Sequence, residues 1–438
     1  MRLRLVLGVL AACAAGCIFF VDPDAQCSQD SDCKGAGKVC QSNHICGVPG
    51  GGTDAASGST SSGSGSGSVA TSGSSGSNGD AVGTVGSAGT SDNGSSTGSS
   101  SSSGSTGTGT AGPIGTFVKV PLNGDGARYG PGEIRIGARM YLIGGSELGS
   151  VYPLPVVMAV LRADGGSIDF EDIGSPLITG RHHPVIVKLD HDLYVIGGEL
   201  PDGGVADDET TSVYVDGGFG AFSIVDGGML HFPRYGASMA RQNGACVIAG
   251  GFKGMPDGGT VFETAVEGAS ILNDGGLGPF NVAVGAADVY RAFADATPLG
   301  SNAIAVAGGV DRLLFSDKSI DLAVPYADGG GSGFSSNTNT NLGHIDGKVF
   351  ARSGRLHVLS GVTELFGNVT PENEAFDYTP ANGNLTPAVQ SDAPLNEARA
   401  GFVVDYLSGY LYVVGGVSGD AGIASVNYAP DVEIAPLP

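Results

Sequence analysis

The sequence predicts an all-β fold built from six similar four-stranded units, and three repeated landmarks carry that prediction. The first is an apolar run closed by two small residues, which recurs as Gly144-Gly145, Gly197-Gly198, Gly250-Gly251, Gly308-Gly309, Ser360-Gly361 and Gly415-Gly416. The second is an arginine sixteen or seventeen residues earlier, at Arg128, Arg181, Arg234, Arg291 and Arg399, with His344 in the fifth unit. The third precedes the arginine and comprises Phe117, Phe170, Phe222, Phe280 and Phe334, with Leu385 before Arg399.

The spacing of the small-residue pairs runs from 52 residues (308 to 360) to 58 residues (250 to 308), a period typical of propeller blades. We therefore predict a six-bladed β-propeller over residues 115–438. In the second unit, alternating apolar residues predict strands over residues 184–189, 193–198, 211–215 and 221–225. Asp-Gly-Gly provides the positive φ that a tight turn before the fourth strand requires, and it occurs in the first four units at Asp164, Asp216, Asp274 and Asp328, with Asn382-Gly383 in the fifth.

Closure of the ring has two candidate strands, residues 117–122 and residues 432–437. The amino-terminal segment carries the phenylalanine landmark at the right distance from Arg128. We therefore expect it to pair with residues 424–429 as the outer strand of the last blade, which would leave residues 432–437 as a surplus strand.

The landmarks, together with residues 374–384 (Glu-Ala-Phe-Asp-Tyr-Thr-Pro-Ala-Asn-Gly-Asn), resemble kelch repeats. The chain departs from that family in its fourth strand, where phenylalanine replaces tryptophan, and at Ser360-Gly361. The resemblance implies that residues two places after each arginine line the mouth of a central channel: Gly130, His183, Gly236, Phe293, Asp346 and Gly401. Three glycines predict an open mouth, in which His182, His183, Tyr235, Phe293 and Asp346 are the candidate ligand contacts.

Two functions follow from this resemblance. The first is a binding module that recognises a protein or glycan through a propeller face. The alternative is a periplasmic carbohydrate-active enzyme resembling kelch sugar epimerases, in which His183 and Asp346 would form the acid and base pair. Kelch copper oxidases require Tyr, His and Cys ligands, whereas Cys246 is the only cysteine of the predicted propeller and lies on an apolar strand. We expect no catalytic residue, cofactor or metal; the acids Asp202, Asp207, Asp208 and Glu209 match no calcium loop.

The amino terminus predicts export. Two arginines precede an apolar run too short to span a bilayer, which ends in Leu10-Ala-Ala-Cys13-Ala-Ala-Gly-Cys17. This end resembles the lipobox of bacterial lipoproteins, so residues 1–17 form a signal peptide and Cys17, or alternatively Cys13, is the lipidated residue.

Residues 18–47 contain Cys27, Cys33, Cys40 and Cys46 and few apolar residues, so this segment cannot build a core. In an exported chain the four cysteines favour two disulfides of undetermined connectivity over a zinc site. The segment resembles cysteine-rich modules of bacterial surface lipoproteins. Residues 48–114 are almost wholly Gly, Ser, Thr and Ala and are predicted to form a disordered linker.

A net charge of −23 disfavours nucleic-acid partners. Combined with the lipobox, this predicts an outer-membrane lipoprotein facing the periplasm or cell surface. We expect a monomer held to the membrane by its lipid alone, with an extracellular or periplasmic protein or glycan as its partner.

Overall fold

The computed structural model describes residues 39–40, 46–47 and 112–437, except 148–153, 163, 175–176, 214–217, 227–228, 255–259, 274, 284–288, 326–330, 353, 365–367, 380–382, 387–389 and 419–426. One compact unit comprises Cys27–Asp92, and the other contains Asn93–Pro438. In the first unit, β1 (Val39–Cys40) pairs antiparallel with β2 (Cys46–Gly47), and the backbones of Cys40 and Cys46 face each other. Cys13, Cys17, Cys27, Cys33 and the predicted linker up to residue 111 lie outside the described residues.

The second unit is all-β, and its described residues contain no helix. After β3 (Val118–Asn123), its strands form four-stranded antiparallel meanders that follow one another along the chain. Meander 1 comprises β4 (Gly132–Ile136), β5 (Arg139–Ile143), β6 (Val157–Val160) and β7 (Ile168–Asp172). Meander 2 comprises β8 (Val185–Lys188), β9 (Asp192–Ile196), β10 (Glu209–Ser212) and β11 (Ser223–Ile224).

Meander 3 comprises β12 (Ser238–Gln242), β13 (Ala245–Ala249), β16 (Glu267–Ser270) and β17 (Asn281–Val282), with a hairpin of β14 (Phe252–Gly254) and β15 (Thr260–Phe262). Meander 4 comprises β18 (Arg291–Leu299), β19 (Ala303–Asp311), β20 (Ser319–Ala323) and β21 (Ser335–Asn339). Meander 5 comprises β22 (Lys348–Arg352), β23 (Arg355–Leu359), β24 (Asn373–Asp377) and β25 (Gln390–Ser391). Meander 6 comprises β26 (Val403–Leu407), β27 (Tyr410–Val414), β30 (Asp431–Pro436) and β3, with a hairpin of β28 (Val417–Ser418) and β29 (Asn427–Tyr428).

The two ends of the folded chain meet in one sheet. Meanders 6 and 1 join into eight strands because β3 also pairs in parallel with β7, through Leu122 and Asn123. The outer strands of this sheet approach each other as well, since Arg135 of β4 donates a hydrogen bond to Asp405 of β26 at 3.1 Å. The sheet is therefore nearly closed.

The expected position of the amino-terminal strand is confirmed, but its expected partner is wrong. β3 is the outer strand of meander 6, where Val118 faces Ile434 and Val120 faces Val432. Its neighbour is thus β30, the third strand of the meander, and not residues 424–429. Among the described residues, β29 of the expected third strand pairs with β28, and β30 takes the third position. It is no surplus strand.

The small-residue pairs hold neighbouring meanders together. In every unit the N–H of the second glycine donates to the carbonyl of the next unit's arginine landmark, at 2.7 to 3.3 Å. The series returns to its start, because Gly416 of meander 6 donates to the carbonyl of Arg128 at the entrance of meander 1. This circular connection makes the fold propeller-like.

The first glycine of each pair is required by this close approach. Gly197 has a φ of 58°, and a Cβ there would lie 2.1 Å from the carbonyl oxygen of Arg234. Ser360 replaces glycine in the fifth unit and keeps a φ of 54°. Its hydroxyl accepts a hydrogen bond from the N–H of Arg399 at 3.0 Å, so the side chain takes part in the contact between meanders 5 and 6.

The landmark arginines are buried and tie the strands of their own unit together. Arg234, for example, donates to the carbonyls of Gly250 (3.2 Å) and Ala265 (2.6 Å) and pairs with the buried carboxylate of Glu267. His344 makes the same kinds of contact: Nδ1 lies 2.7 Å from the Ser360 carbonyl oxygen and Nε2 lies 3.1 Å from Glu374. The substitution of His for Arg in the fifth unit therefore preserves the link.

The third landmark is buried in every unit, as Phe117, Phe170, Phe222, Phe280, Phe334 and Leu385. These side chains belong to the apolar clusters of the domain. Some fourth strands are shorter than predicted, since β11 covers two residues where five were expected. Cys246 is a buried free thiol, as expected, and burial raises its pKa to about 12. Within the described ranges, no helix is long and apolar enough to cross a membrane.

Candidate functional site: the central ring and a histidine–carboxylate cluster

The six positions two places after the landmarks form a ring of backbone at the centre of the domain. All six have a positive φ, between 55° and 63°. Five hydrogen bonds link them in sequence: Phe293 N to Gly236 O (2.7 Å), Asp346 N to Phe293 O (3.1 Å), Gly401 N to Asp346 O (3.0 Å), Gly130 N to Gly401 O (2.9 Å) and His183 N to Gly130 O (2.7 Å). This central ring brings together residues that are far apart in the sequence. Positive φ is uncommon for His, Phe and Asp, and such backbone often marks functional sites.

The side chains of the central ring fill its middle. His183, Phe293 and Asp346 are 1%, 1% and 0% exposed. The three glycines leave room for them, since a Cβ on Gly130 would lie 2.2 Å from His183 Nε2 and one on Gly236 would lie 2.3 Å from the Phe293 ring. The expectation of an open mouth is therefore wrong at the central ring, because the side chains of His183, Phe293 and Asp346 fill the space beside the three glycines.

A second layer is formed by the residue directly after each landmark, which bridges to the residue directly after the Gly-Gly pair. In meanders 4, 5 and 6 these bridges are apolar: Ala292 to Val310, Ile345 to Val362 and Ala400 to Val417. In meanders 1, 2 and 3 they are Tyr129 to Ser146, His182 to Glu199 and Tyr235 to Phe252. The polar side chains are thus concentrated on one side of the second layer.

His182, His183 and Glu199 form a compact cluster in which one donor atom from each residue lies within 4.8 Å of the other two. The Nδ1 atoms of the two imidazoles are 3.1 Å apart, and Glu199 Oε2 lies 3.6 Å from His182 Nδ1. Burial lowers the pKa of His182 to about 4, lowers that of His183 well below its usual range and raises the pKa of Glu199 to about 8. At neutral pH both imidazoles are therefore uncharged.

Asp346 and His183, the predicted acid and base pair, are both in contact with Tyr129. The phenol of Tyr129 donates to Asp346 Oδ2 at 3.0 Å, and its ring packs edge-on against His183 with a centroid distance of 5.0 Å. Burial raises the pKa of Asp346 well above its usual range. Tyr129 therefore links the two residues across the central ring.

Tyr235, the last of the candidate contacts, and the acids that match no calcium loop contact other residues of the fold. Tyr235 packs with Phe252 and Phe293, at centroid distances of 5.7 and 6.2 Å. Asp208 accepts a hydrogen bond from Gly197 N at 2.7 Å, and Glu209 pairs with Arg181 while accepting from Ile178 N and Thr179 N. Asp202 closes a turn on Gly204 N at 3.0 Å. These carboxylates thus serve local hydrogen bonds.

Sequence reasoning did not identify Tyr129 and Glu199. Both could have been found from the landmarks, because the residue after each arginine bridges to the residue after each Gly-Gly pair. In the second unit that rule joins His182 to Glu199. The sequence matches no known protein-family model, and no curated protein is significantly similar to it.

Proposed function

We propose that this chain is an exported, lipid-anchored six-bladed kelch-like β-propeller that acts as a binding module. The six meanders joined in a circle by the Gly-Gly contacts support the propeller. The lipobox, the cysteine-rich residues 18–47 and the Gly/Ser-rich residues 48–114 support an anchor and a tether that present it at the outer membrane. The ligand is a periplasmic or extracellular protein.

The observation that carries the binding role is a rigid loop that presents apolar side chains to solvent. Leu313 and Phe315, between β19 and β20, are 65% and 68% exposed. Aromatic side chains held on a preorganised backbone are common anchors of protein interfaces. We call residues 311–316 the β19–β20 loop.

Local hydrogen bonds fix the β19–β20 loop before any ligand arrives. Asp311 Oδ1 accepts from the N–H groups of Leu313 (2.8 Å) and Phe315 (2.9 Å), and the backbone of Asp311 pairs with Phe315. Leu314 turns inward with a φ of 65° and packs on the apolar cluster that contains Phe293 of the central ring. The tip is therefore preorganised, and little entropy is lost when it binds.

Beside the loop, the guanidinium of Arg312 lies 5.5 Å from the ring centroid of Tyr290, which is itself exposed. Phe, Tyr and Arg are among the residues enriched at protein-binding surfaces. This composition favours a protein over a glycan as the ligand.

Site-specific photo-crosslinking in the native host tests the proposal. With benzoylphenylalanine in place of Phe315, we expect a discrete adduct; the same probe at Val282, exposed on β17, should give none. The captured partner is then purified and its affinity measured by calorimetry. Phe315→Ala or Leu313→Ala should weaken binding by about 30-fold, the equivalent of about 2 kcal/mol.

The matched control for the calorimetry is Val282→Ala, which removes an exposed apolar side chain of β17, outside the loop. Its affinity should equal that of the unmodified chain. Equal loss in the control and loop variants would contradict the proposal. So would binding on a glycan array that Phe315→Ala leaves unchanged.

The lipid anchor is tested separately. Cys17→Ser is expected to move the protein from the membrane fraction to the soluble fraction, because one acylated cysteine is the only lipid attachment proposed. If the variant stays with the membrane, Cys13→Ser is added. Retention of the double variant would refute the anchor while leaving the binding proposal intact.

The alternative enzyme, a carbohydrate-active protein using His183 and Asp346, has less support. Both side chains are at most 1% exposed, beneath a second layer of side chains. A sugar substrate would have to displace that layer to reach them. The geometry favours binding on the surface of the propeller.

A further inference from the structure

The cluster of His182, His183 and Glu199 has no role in the binding surface proposed above, and its chemistry points to an ion. It contains three of the side chains that metals prefer in proteins, held by the central ring and by the bridge between His182 and Glu199. We propose that His182, His183 and Glu199 bind one divalent transition-metal ion, with Zn²⁺ as the best fit.

The distances suit a tetrahedral ion. Bonds of about 2.0 to 2.1 Å at tetrahedral angles place neighbouring donor atoms about 3.4 Å apart. The two Nδ1 atoms are 3.1 Å apart, and His182 Nδ1 lies 3.6 Å from Glu199 Oε2. The donor atoms of His183 and Glu199 lie within 4.8 Å of each other, and binding of one Zn²⁺ would draw them to the same spacing.

The cluster is poorly satisfied without a cation. Glu199 Oε2 is buried and has no hydrogen-bond partner, and an unpaired buried oxygen of this kind is costly. The two Nδ1 atoms face each other, so a hydrogen bond between them requires a proton on one and a lone pair on the other. A metal ion would use all of these lone pairs at once.

Ligand type selects the metal. Two imidazoles and one carboxylate suit Zn²⁺ and its first-row neighbours, whereas Ca²⁺ and Mg²⁺ prefer oxygen donors. Three protein ligands leave a fourth tetrahedral position for water or for a group from a ligand. The side chain of His182 is 13% exposed, which gives the ion a route from the propeller face.

Metal titration of the full chain tests the site. The protein is stripped with a chelator, kept oxidised so that its exported cysteines stay paired, and titrated with Zn²⁺ by calorimetry. We expect one ion per chain. Glu199→Gln and His182→Ala should each weaken binding by at least about 100-fold, the upper end of the loss caused by removing an outer-shell partner.

His191→Ala is the matched control, because His191 lies between β8 and β9 of the same meander, is exposed and does not belong to the cluster. It should bind Zn²⁺ like the unmodified chain. Co²⁺ provides a second readout, since a four-coordinate site gives strong visible absorption that Glu199→Gln should abolish. Circular dichroism is used to check that the variants are folded. If His182→Ala does not fold, Glu199→Gln still tests the site because it keeps the size of the side chain.

Three results would overturn the proposal. One is the absence of stoichiometric Zn²⁺ binding by the folded chain. Another is unchanged binding in Glu199→Gln. The third is binding that survives in both cluster variants and disappears when Cys27 and Cys33 are replaced by Ser, which would place the ion in the cysteine-rich segment.

Discussion

A chain that ends at Pro430 is expected not to fold, whereas a chain that begins at Gly124 should fold with reduced stability. The first change removes β30, which pairs with β27 on one side and β3 on the other. It therefore unpairs β3 as well. The second change removes β3, whose side chains are mostly exposed, together with the buried Ile114 and Phe117, but it leaves β30 paired with β27.

The buried side chains of β30 increase the difference in stability between the two shortened chains. Val432 and Ile434 are buried, and each contributes about 1.5 to 3 kcal/mol. Glu433 pairs with the buried Arg399, and leaving such a partner uncompensated costs about 3 to 5 kcal/mol. The sum is comparable with the whole stability of a typical domain, about 5 to 15 kcal/mol.

Thermal unfolding followed by circular dichroism measures both effects, with residues 112–438 as the reference because they keep Ile114 and Phe117. Residues 124–438 should show a cooperative transition at a lower temperature, and residues 112–430 should show none. A more stable chain without β30 than without β3 would mean that the sheet does not close as described.

The all-β class and the positions of most strands could be predicted because their signals are local. A Gly-Gly pair indicates backbone with positive φ, as at Gly197, and an alternating apolar run indicates a strand with one buried face. The strand partner of β3 could not be predicted in this way. Residues 117–122 and 432–437 have similar patterns, and the sequence does not show that β30, and not residues 424–429, pairs with both β27 and β3.

The candidate site was predicted in part for the same reason. His182, His183, Phe293 and Asp346 lie one or two residues after a landmark, so it could be predicted that they lie close together in the fold. Their burial could not be predicted, because it depends on how their side chains pack against the glycines of the central ring. Glu199 reaches His182 through a bridge between the residue after the landmark and the residue after the Gly-Gly pair, a rule that is found only when all the units are compared.

The role of the landmark arginines was also missed, because their acidic partners stand at variable distances. Arg181 and Glu209 are 28 residues apart, whereas Arg399 and Glu433 are 34 apart. The loops between the second and third strands differ in length, so the acidic partner does not lie at a fixed number of residues after the arginine. The link is nevertheless repeated in several meanders, which gives it a large expected effect on stability.

Arg234→Ala is expected to destabilise the domain by about 3 to 5 kcal/mol, because it leaves Glu267 buried without its counter-charge. It also removes the donors to the carbonyls of Gly250 and Ala265. Arg312→Ala is the matched control: Arg312 is exposed, and its contact with Tyr290 should contribute no more than about 1 kcal/mol. Urea unfolding of both variants gives the comparison.

A double-mutant cycle with Glu267→Gln separates the ion pair from the other contacts of its members. Glu267 also accepts hydrogen bonds from His231 N (2.6 Å) and Phe232 N (3.1 Å), so Glu267→Gln alone disturbs the segment before Arg234 as well as the pair. The double variant removes both charges together, and we expect it to cost less than the sum of the single changes by about 0.5 to 3 kcal/mol. Strict additivity would mean that the two residues stabilise the meander independently. The arginine landmark would then act through its carbonyl contacts, as His344 does with the carbonyl of Ser360.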